Sequence, residues 1–252
     1  MAGDAQVCPR QTQPGFTGPG SFAEYVAIHA ADLNLVALPP QVDFVTAASL
    51  GCWFATAFRA LTAHGRVRIG DWLAVHGCGG VGLSAVMIGK ALGARVVAVD
   101  VSTAALALAL ELGAEALVDA TQVTDPAATI VDSTGGGAHV SIDALGSSET
   151  AVSSVRSLRP RGRHVQVGLL HGAASTPPIP MDLVLARELE IHGSHGMAAR
   201  DYPAMLDLIT DETLRPELLR AKVIGLEDAA QALVAMGEPA SLAGRTVIRL
   251  GA

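Results

Sequence analysis

Cysteine is scarce, with three in 252 residues, and Cys8, Cys52 and Cys78 are odd in number and widely separated. That excludes a disulfide framework and leaves metal ligand, core filler or reactive thiol as the roles open to each. Charge is also sparse. Charged residues make up 16% of the chain, and 17 Lys and Arg against 24 Asp and Glu give a net charge of −7. Without a run of Lys or Arg there is no electrostatic footprint for nucleic acid or an anionic membrane, and neither is expected as a partner. Long apolar runs are missing too. The most apolar window, Leu73 to Val99, is broken by glycines, Lys90 and Arg95, which argues against a bilayer-spanning helix. The polar start, with Pro9 and Pro14, is no signal peptide, so a cytoplasmic location is expected. No G-x-S-x-G elbow occurs, so hydrolase chemistry has no support.

What is present describes a folding chain. Half of its residues are hydrophobic, and the length fits one large domain, or one domain plus a piece of another. Residues 1–21 read as an irregular segment feeding a strand from Phe22 to Ile28. Between Asp43 and His64 apolar residues recur at helical spacing, predicting one or two packed helices. From Trp72 onward strand and helix alternate. Strands are expected at Trp72 to His76, Arg95 to Asp100, Ala116 to Val118, His139 to Asp143, Gly162 to Val167 and Leu189 to Gly193. Helices are expected at Gly80 to Leu92, Thr103 to Leu112, Pro126 to Ser133 and Ser148 to Leu158. Such alternation implies right-handed crossovers and a doubly wound parallel sheet of about six strands, the α/β Rossmann architecture. Helices at Tyr202 to Asp211 and Leu226 to Met236 follow, then a last strand, Arg245 to Leu250.

The sequence Gly77-Cys-Gly79-Gly80-Val81-Gly82 places a G-x-G-x-x-G pattern between a buried strand and a long helix. Gly77 permits the tight turn, Gly79 lets the backbone approach a pyrophosphate, and Gly82 allows close packing of helix on strand. Asp100 closes the second strand about 20 residues after the glycines, where a carboxylate binds ribose hydroxyls and repels a 2′-phosphate. NAD is therefore expected over NADP. Cys52, on an apolar helix, reads alone as a small buried hydrophobe. His192 and His195 follow a strand and fit a loop better than a metal site.

The stretches Leu50-Gly-Cys52-Trp-Phe-Ala-Thr56-Ala-Phe-Arg, Gly70-Asp71 with the glycine loop, and Gly20-Ser-Phe-Ala-Glu24-Tyr25-Val resemble the medium-chain zinc alcohol dehydrogenases. The resemblance runs over nearly the whole chain in the family's order. It implies that Cys52 is a ligand of the catalytic zinc and that Thr56 lines the nicotinamide pocket. It also implies that Gly77, Gly79, Gly80, Val81 and Gly82 hold the pyrophosphate, that Asp100 holds the ribose, and that Leu145 and Val167 line the cofactor cleft. Cys8 resembles the last of four cysteines in the family's structural zinc lobe; the other three, the first catalytic Cys and the ligand His have no counterpart here. By resemblance, then, this is an N-terminally truncated member. Residues 1–40 would be the remnant of a mostly β, GroES-like catalytic domain and 41–195 the NAD-binding domain. Residues 196–252 would complete the cofactor domain and return to the catalytic one. The implied reaction is hydride transfer between an alcohol and NAD, zinc-assisted in the complete protein, with a small alcohol or aldehyde as partner and a homo-oligomeric assembly. The alternatives are an NADPH-dependent enone or quinone reductase of the same superfamily, and a noncatalytic dinucleotide-binding module.

Overall fold

The structure is a computed structural model that describes residues 5–236 and 245–251. In chain order the regular elements are α1 (Ala31–Asn34), α2 (Phe44–Ala48), α3 (Thr56–Arg59), β1 (Trp72–His76), α4 (Gly80–Ala91), β2 (Arg95–Asp100), α5 (Thr103–Glu111), β3 (Ala116–Asp119), α6 (Pro126–Thr134), β4 (Ala138–Asp143), α7 (Ser148–Arg156), β5 (Leu158–Gln166), α8 (Met181–Ala186), β6 (Glu190–Gly193), α9 (Tyr202–Thr210), β7 (Arg220–Ile224), α10 (Ala229–Ala235) and β8 (Arg245–Ile248). The chain divides into two compact units. Residues 56–194 form one, and the described parts of 1–55 and 195–252 form the other.

The first unit is a six-stranded sheet in the order β3-β2-β1-β4-β5-β6, with every neighbouring pair parallel. Strand order reverses between β1 and β4, the switch point at which doubly wound sheets open a ligand crevice beyond their carboxyl ends. Alternate residues of the central strands feed two cores. Trp72, Ala74, Val97 and Val99 pack with Ile130 of α6 and Val155 of α7. On the opposite face Leu73 and Val96 meet α4, where a Cβ on Gly89 would fall 2.5 Å from the Leu73 side chain. Burying each such Val or Leu contributes about 1.5–3 kcal/mol. The helices start where side-chain caps allow: Ser102, Asp125 and Ser147 each accept a backbone N–H from the first turn of α5, α6 and α7.

In the second unit β7 and β8 form a two-stranded parallel sheet. The turns from Leu50 to Ala55 are wound in a π-helical manner with a kink at Gly51. Arg245 is buried there, its guanidinium 5.4 Å from the Trp53 ring and donating to the Ser49 carbonyl.

Several expectations need correction. No strand forms at 22–28; the segment is irregular, and Phe22, Tyr25 and Val26 are exposed. An extended segment needs a partner ladder for its N–H and C=O groups, and the one pairing before β1 among the described residues is an isolated bridge between Pro14 and Gly18. β5 starts at Leu158, four residues before the expected Gly162, because Leu158 is fully buried and pairs with Ala138. The expected helix from Leu226 begins as a 3-10 turn, Leu226–Asp228, before α10. His192 lies within β6 itself, bonded to Glu190 at 3.0 Å. Strand β7 was not foreseen.

Candidate functional site: the crest of the parallel sheet

Residues 77–82 lie where β1 leaves the core. Gly77 takes φ +88°, a left-handed conformation that favours glycine, and its N–H donates to the Val99 carbonyl at 2.8 Å. Gly79 stands at the N-cap of α4, which no side chain caps. The first-turn N–H groups of such a helix point outward and favour an anion. A Cβ on Gly82 would sit 1.7 Å from the Gly77 carbonyl oxygen, whereas one on Gly79 would meet nothing within 4 Å. Gly82 is thus required by packing, and Gly79 leaves open backbone facing outward.

Asp100 closes β2 and is tied to this loop. Its Oδ2 accepts the Cys78 N–H at 2.6 Å, and its Oδ1 accepts the Ser102 N–H at 2.8 Å. A carboxylate offers about four lone-pair sites, so each oxygen keeps room for a further donor such as a sugar hydroxyl. Cys78 is buried, and burial together with the neighbouring Asp100 carboxylate pushes its thiol up to about 12, which makes it an unreactive filler of the loop.

Beyond β4 the chain turns at Ala144 to Ser147. The Ala144 N–H donates to the His76 carbonyl at 2.8 Å, and Leu145 lies 62% exposed beside the glycine loop, 3.1 Å from where a Cβ on Gly77 would stand. After β5, Val167 is half-buried and donates its N–H to the Asp143 carbonyl. The structure therefore unites Gly77, Gly79, Gly80, Val81, Gly82, Asp100, Leu145 and Val167 on the crest of one sheet. This cradle fits an adenine dinucleotide: an open glycine N-cap for the diphosphate and a pre-oriented acid for the ribose.

Thr56 opens α3, is 6% exposed, and its hydroxyl has no hydrogen-bond partner among the described residues. Cys52 and Cys8 belong to the other compact unit. Cys52 is exposed, Cys8 half-buried, and both are free thiols. A catalytic zinc needs three protein ligands. Among the described residues no group of three or more His, Cys, Asp or Glu could hold a metal ion, so the ligand set here does not fit zinc.

Sequence reasoning missed a buried polar network behind the crest. His76, Ser141, Asp143, Ser154, Ser157 and His164 are all buried. Burial lowers His76 to about 3, with the nearby His164 acting in the same direction, and burial lowers His164 as well. The available signal was His76 at the end of an otherwise apolar strand, since a buried polar group is retained only when its hydrogen bonds are satisfied.

The family model for zinc-binding dehydrogenases matches residues 80–211. An alcohol dehydrogenase of Geobacillus stearothermophilus is 31% identical over 251 residues, 99% of this chain and 70% of that protein. A second alcohol dehydrogenase from the same organism is 34% identical over 77% of this chain and 55% of its own length. The crystal structure of 2R,3R-butanediol dehydrogenase from Bacillus subtilis superposes with a TM-score of 0.84 at 27% identity, covering 98% of this chain and 69% of that one. The chain thus spans between about half and about 70% of the length of these relatives. Sheet order, glycine crest and these matches agree: the chain belongs to the zinc-binding, medium-chain alcohol dehydrogenase family of oxidoreductases.

Proposed function

We propose that this chain binds NAD along the crest of its parallel sheet and serves reversible oxidation of a small alcohol to an aldehyde or ketone. The observation that carries the reading is the Asp100 carboxylate, held at 2.6 Å on the glycine loop with lone pairs to spare. When bound, NAD supplies the hydride acceptor of the reaction. The protein's part is positioning: Gly79 and the α4 N-terminus bind the diphosphate, Asp100 grips the ribose, and Leu145 and Val167 line the cleft beyond them. The buried, unpartnered hydroxyl of Thr56 suits a residue that meets the cofactor. The relatives' activities favour an alcohol as substrate. A homo-oligomer in the cytoplasm is the setting we expect.

Cys52 is proposed as one zinc ligand of the complete catalytic site. No step is assigned to the metal, because the described residues do not assemble a site around it. That observation favours a second reading, in which the chain as it stands is a dinucleotide-binding module. An NADPH-dependent enone reductase is disfavoured by Asp100, whose charge opposes a 2′-phosphate. Calorimetry with NADH and NADPH tests the reading directly. NADH should bind and NADPH should bind more weakly; equal or reversed preference would overturn it. Oxidation assays over a panel of alcohols then separate the enzyme from the module.

A further inference from the structure

Asp143, the last residue of β4, is a fully buried carboxylate that the reading above does not use. Its Oδ1 accepts the N–H groups of Leu145 and Gly146 at 2.9 and 3.0 Å, and its Oδ2 accepts the Gln166 amide N–H at 2.8 Å. Its main-chain carbonyl accepts the N–H groups of Val167 and Gly168 at 3.1 and 2.8 Å. One residue thus holds the turn after β4 and the turn after β5 together. The two turns are in contact besides, since a Cβ on Gly168 would lie 2.2 Å from the Gly146 nitrogen.

The contacts of Gln166 are ordered by donor and acceptor chemistry. Its amide nitrogen gives one N–H to Asp143 and the other to the Gly168 carbonyl, both at 2.8 Å. Its oxygen must then accept from His164 Nε2, 3.2 Å away. That leaves His164 Nδ1 as an acceptor for the hydroxyl of Ser154 at 3.0 Å. Ser141 Oγ lies 3.4 Å from the same Nδ1, farther than Ser154, and the amide and imidazole orientations are fixed by their neighbours, so the chain from Asp143 to Ser154 behaves as a unit.

We propose that Asp143 is a positioning residue for the second, nicotinamide-bearing half of the dinucleotide, acting through the turns that present Leu145 and Val167. The inference rests on the NAD reading. In a sheet of this order the two nucleotide halves lie on either side of the switch point. With Asp100 on the β2 side holding the adenosine ribose, the other half falls across the ends of β4 and β5. Those ends are shaped by Asp143.

The test is Asp143→Asn, read by the dissociation constants of NADH and of ADP. The asparagine oxygen can still accept from Leu145 and Gly146, but its NH2 would face the Gln166 NH2, donor against donor, and force the amide to turn. NADH binding should weaken about tenfold, the size of one hydrogen bond to a charged group, with ADP binding unchanged. Gln166→Met, which removes the same link without touching the carboxylate, should give the same split and serves if the first variant does not fold. Equal weakening of both ligands, or no change in either, would overturn the inference. A native chain that binds neither NADH nor ADP would sink the underlying reading instead.

Discussion

Lowering the pH from 7.5 to 5 should cost the α/β unit about 2 kcal/mol of stability through His76 alone. His76 is the last residue of β1, 1% exposed, registered against Val99 on one side and Asp143 on the other, with Ser157 Oγ 3.5 Å from its Nε2. Burial holds its pKa near 3 against an ordinary value of 6.5. The folded value is depressed, so the unfolded chain takes up the proton first. Stability is complete above pH 6.5 and is lost as pH falls from 6.5 toward 3. Each unit in that window costs about 1.36 kcal/mol, so the 1.5 units down to pH 5 give the figure above. At 2–4 °C per kcal/mol for a domain of this size, the melting temperature falls by about 4–8 °C. His164, lowered by the same burial, adds to the loss in the same direction.

The assay is urea unfolding followed by the fluorescence of Trp72, in a Trp53→Phe background so that the signal comes from the α/β unit. Trp72 is four residues from His76, buried, and stacked 3.9 Å beneath the Arg95 guanidinium. His76→Leu replaces an uncharged ring in an apolar strand and should reduce the slope of stability against pH by about one proton below pH 6.5. The slope that remains belongs to His64, His139 and His164, all lowered chiefly by burial, and to the carboxylates. Identical slopes in the two proteins would refute the reasoning, as would an NMR titration that places the His76 ring near its ordinary value.

The two crest glycines should separate packing from binding. Gly82→Ala drives a Cβ into the Gly77 carbonyl, so both thermal stability and NADH binding should fall, binding by about a hundredfold. Gly79→Ala enters open space, so calorimetric melting should hardly move while NADH binding weakens; a matched loss of stability would show that Gly79 is structural. Thr56→Val removes a buried hydroxyl without a partner. The apo chain should gain about 1 kcal/mol in denaturant unfolding and bind NADH more weakly, and an apo protein that loses stability would show that the hydroxyl is already satisfied. Zinc measured by plasma emission after dialysis should be well below one per chain, with Cys52→Ser leaving NADH affinity intact; tight stoichiometric zinc would contradict the ligand count.

The sheet was legible in the sequence because its strands are buried on both faces and therefore read as continuous apolar runs, Trp72 to Val75 and Val96 to Val99, each ended by a polar residue at the crest. The glycine loop was legible for a related reason. Gly77 and Gly82 answer to backbone geometry within a few residues, and Asp100 reaches them across one strand pairing. The segment 22–28 misled because aromatic and β-branched residues such as Phe22, Tyr25, Val26 and Ile28 report a preference for extended backbone and not whether a partner exists to pair with it. β7 escaped notice because Arg220 to Ile224 is short and mixed, and its pairing with β8 joins residues more than twenty positions apart.

The network around Asp143 escaped for a deeper reason. Ser141 and Asp143 fall at the polar positions of an alternating strand and His164 and Gln166 in a strand rich in Arg, so one at a time each reads as solvent-facing, and a hydroxyl, an acid, an imidazole and an amide follow no common motif. Their meaning lies in the register that aligns Asp143 with Gln166 and Ser141 with His164, which places polar groups on adjacent strands side by side. An unsatisfied buried carboxylate would cost several kcal/mol, so Asp143 is tolerated only with the three donors to its carboxylate in place, and two of those are backbone N–H groups of the turn it shapes. The acid and the conformation of the turn are therefore one requirement seen from two sides. A substitution that spares the fold but moves Leu145 must also disturb this carboxylate, which is why Asp143→Asn is expected to weaken NADH while sparing ADP although, on the proposed reading, Asp143 touches neither.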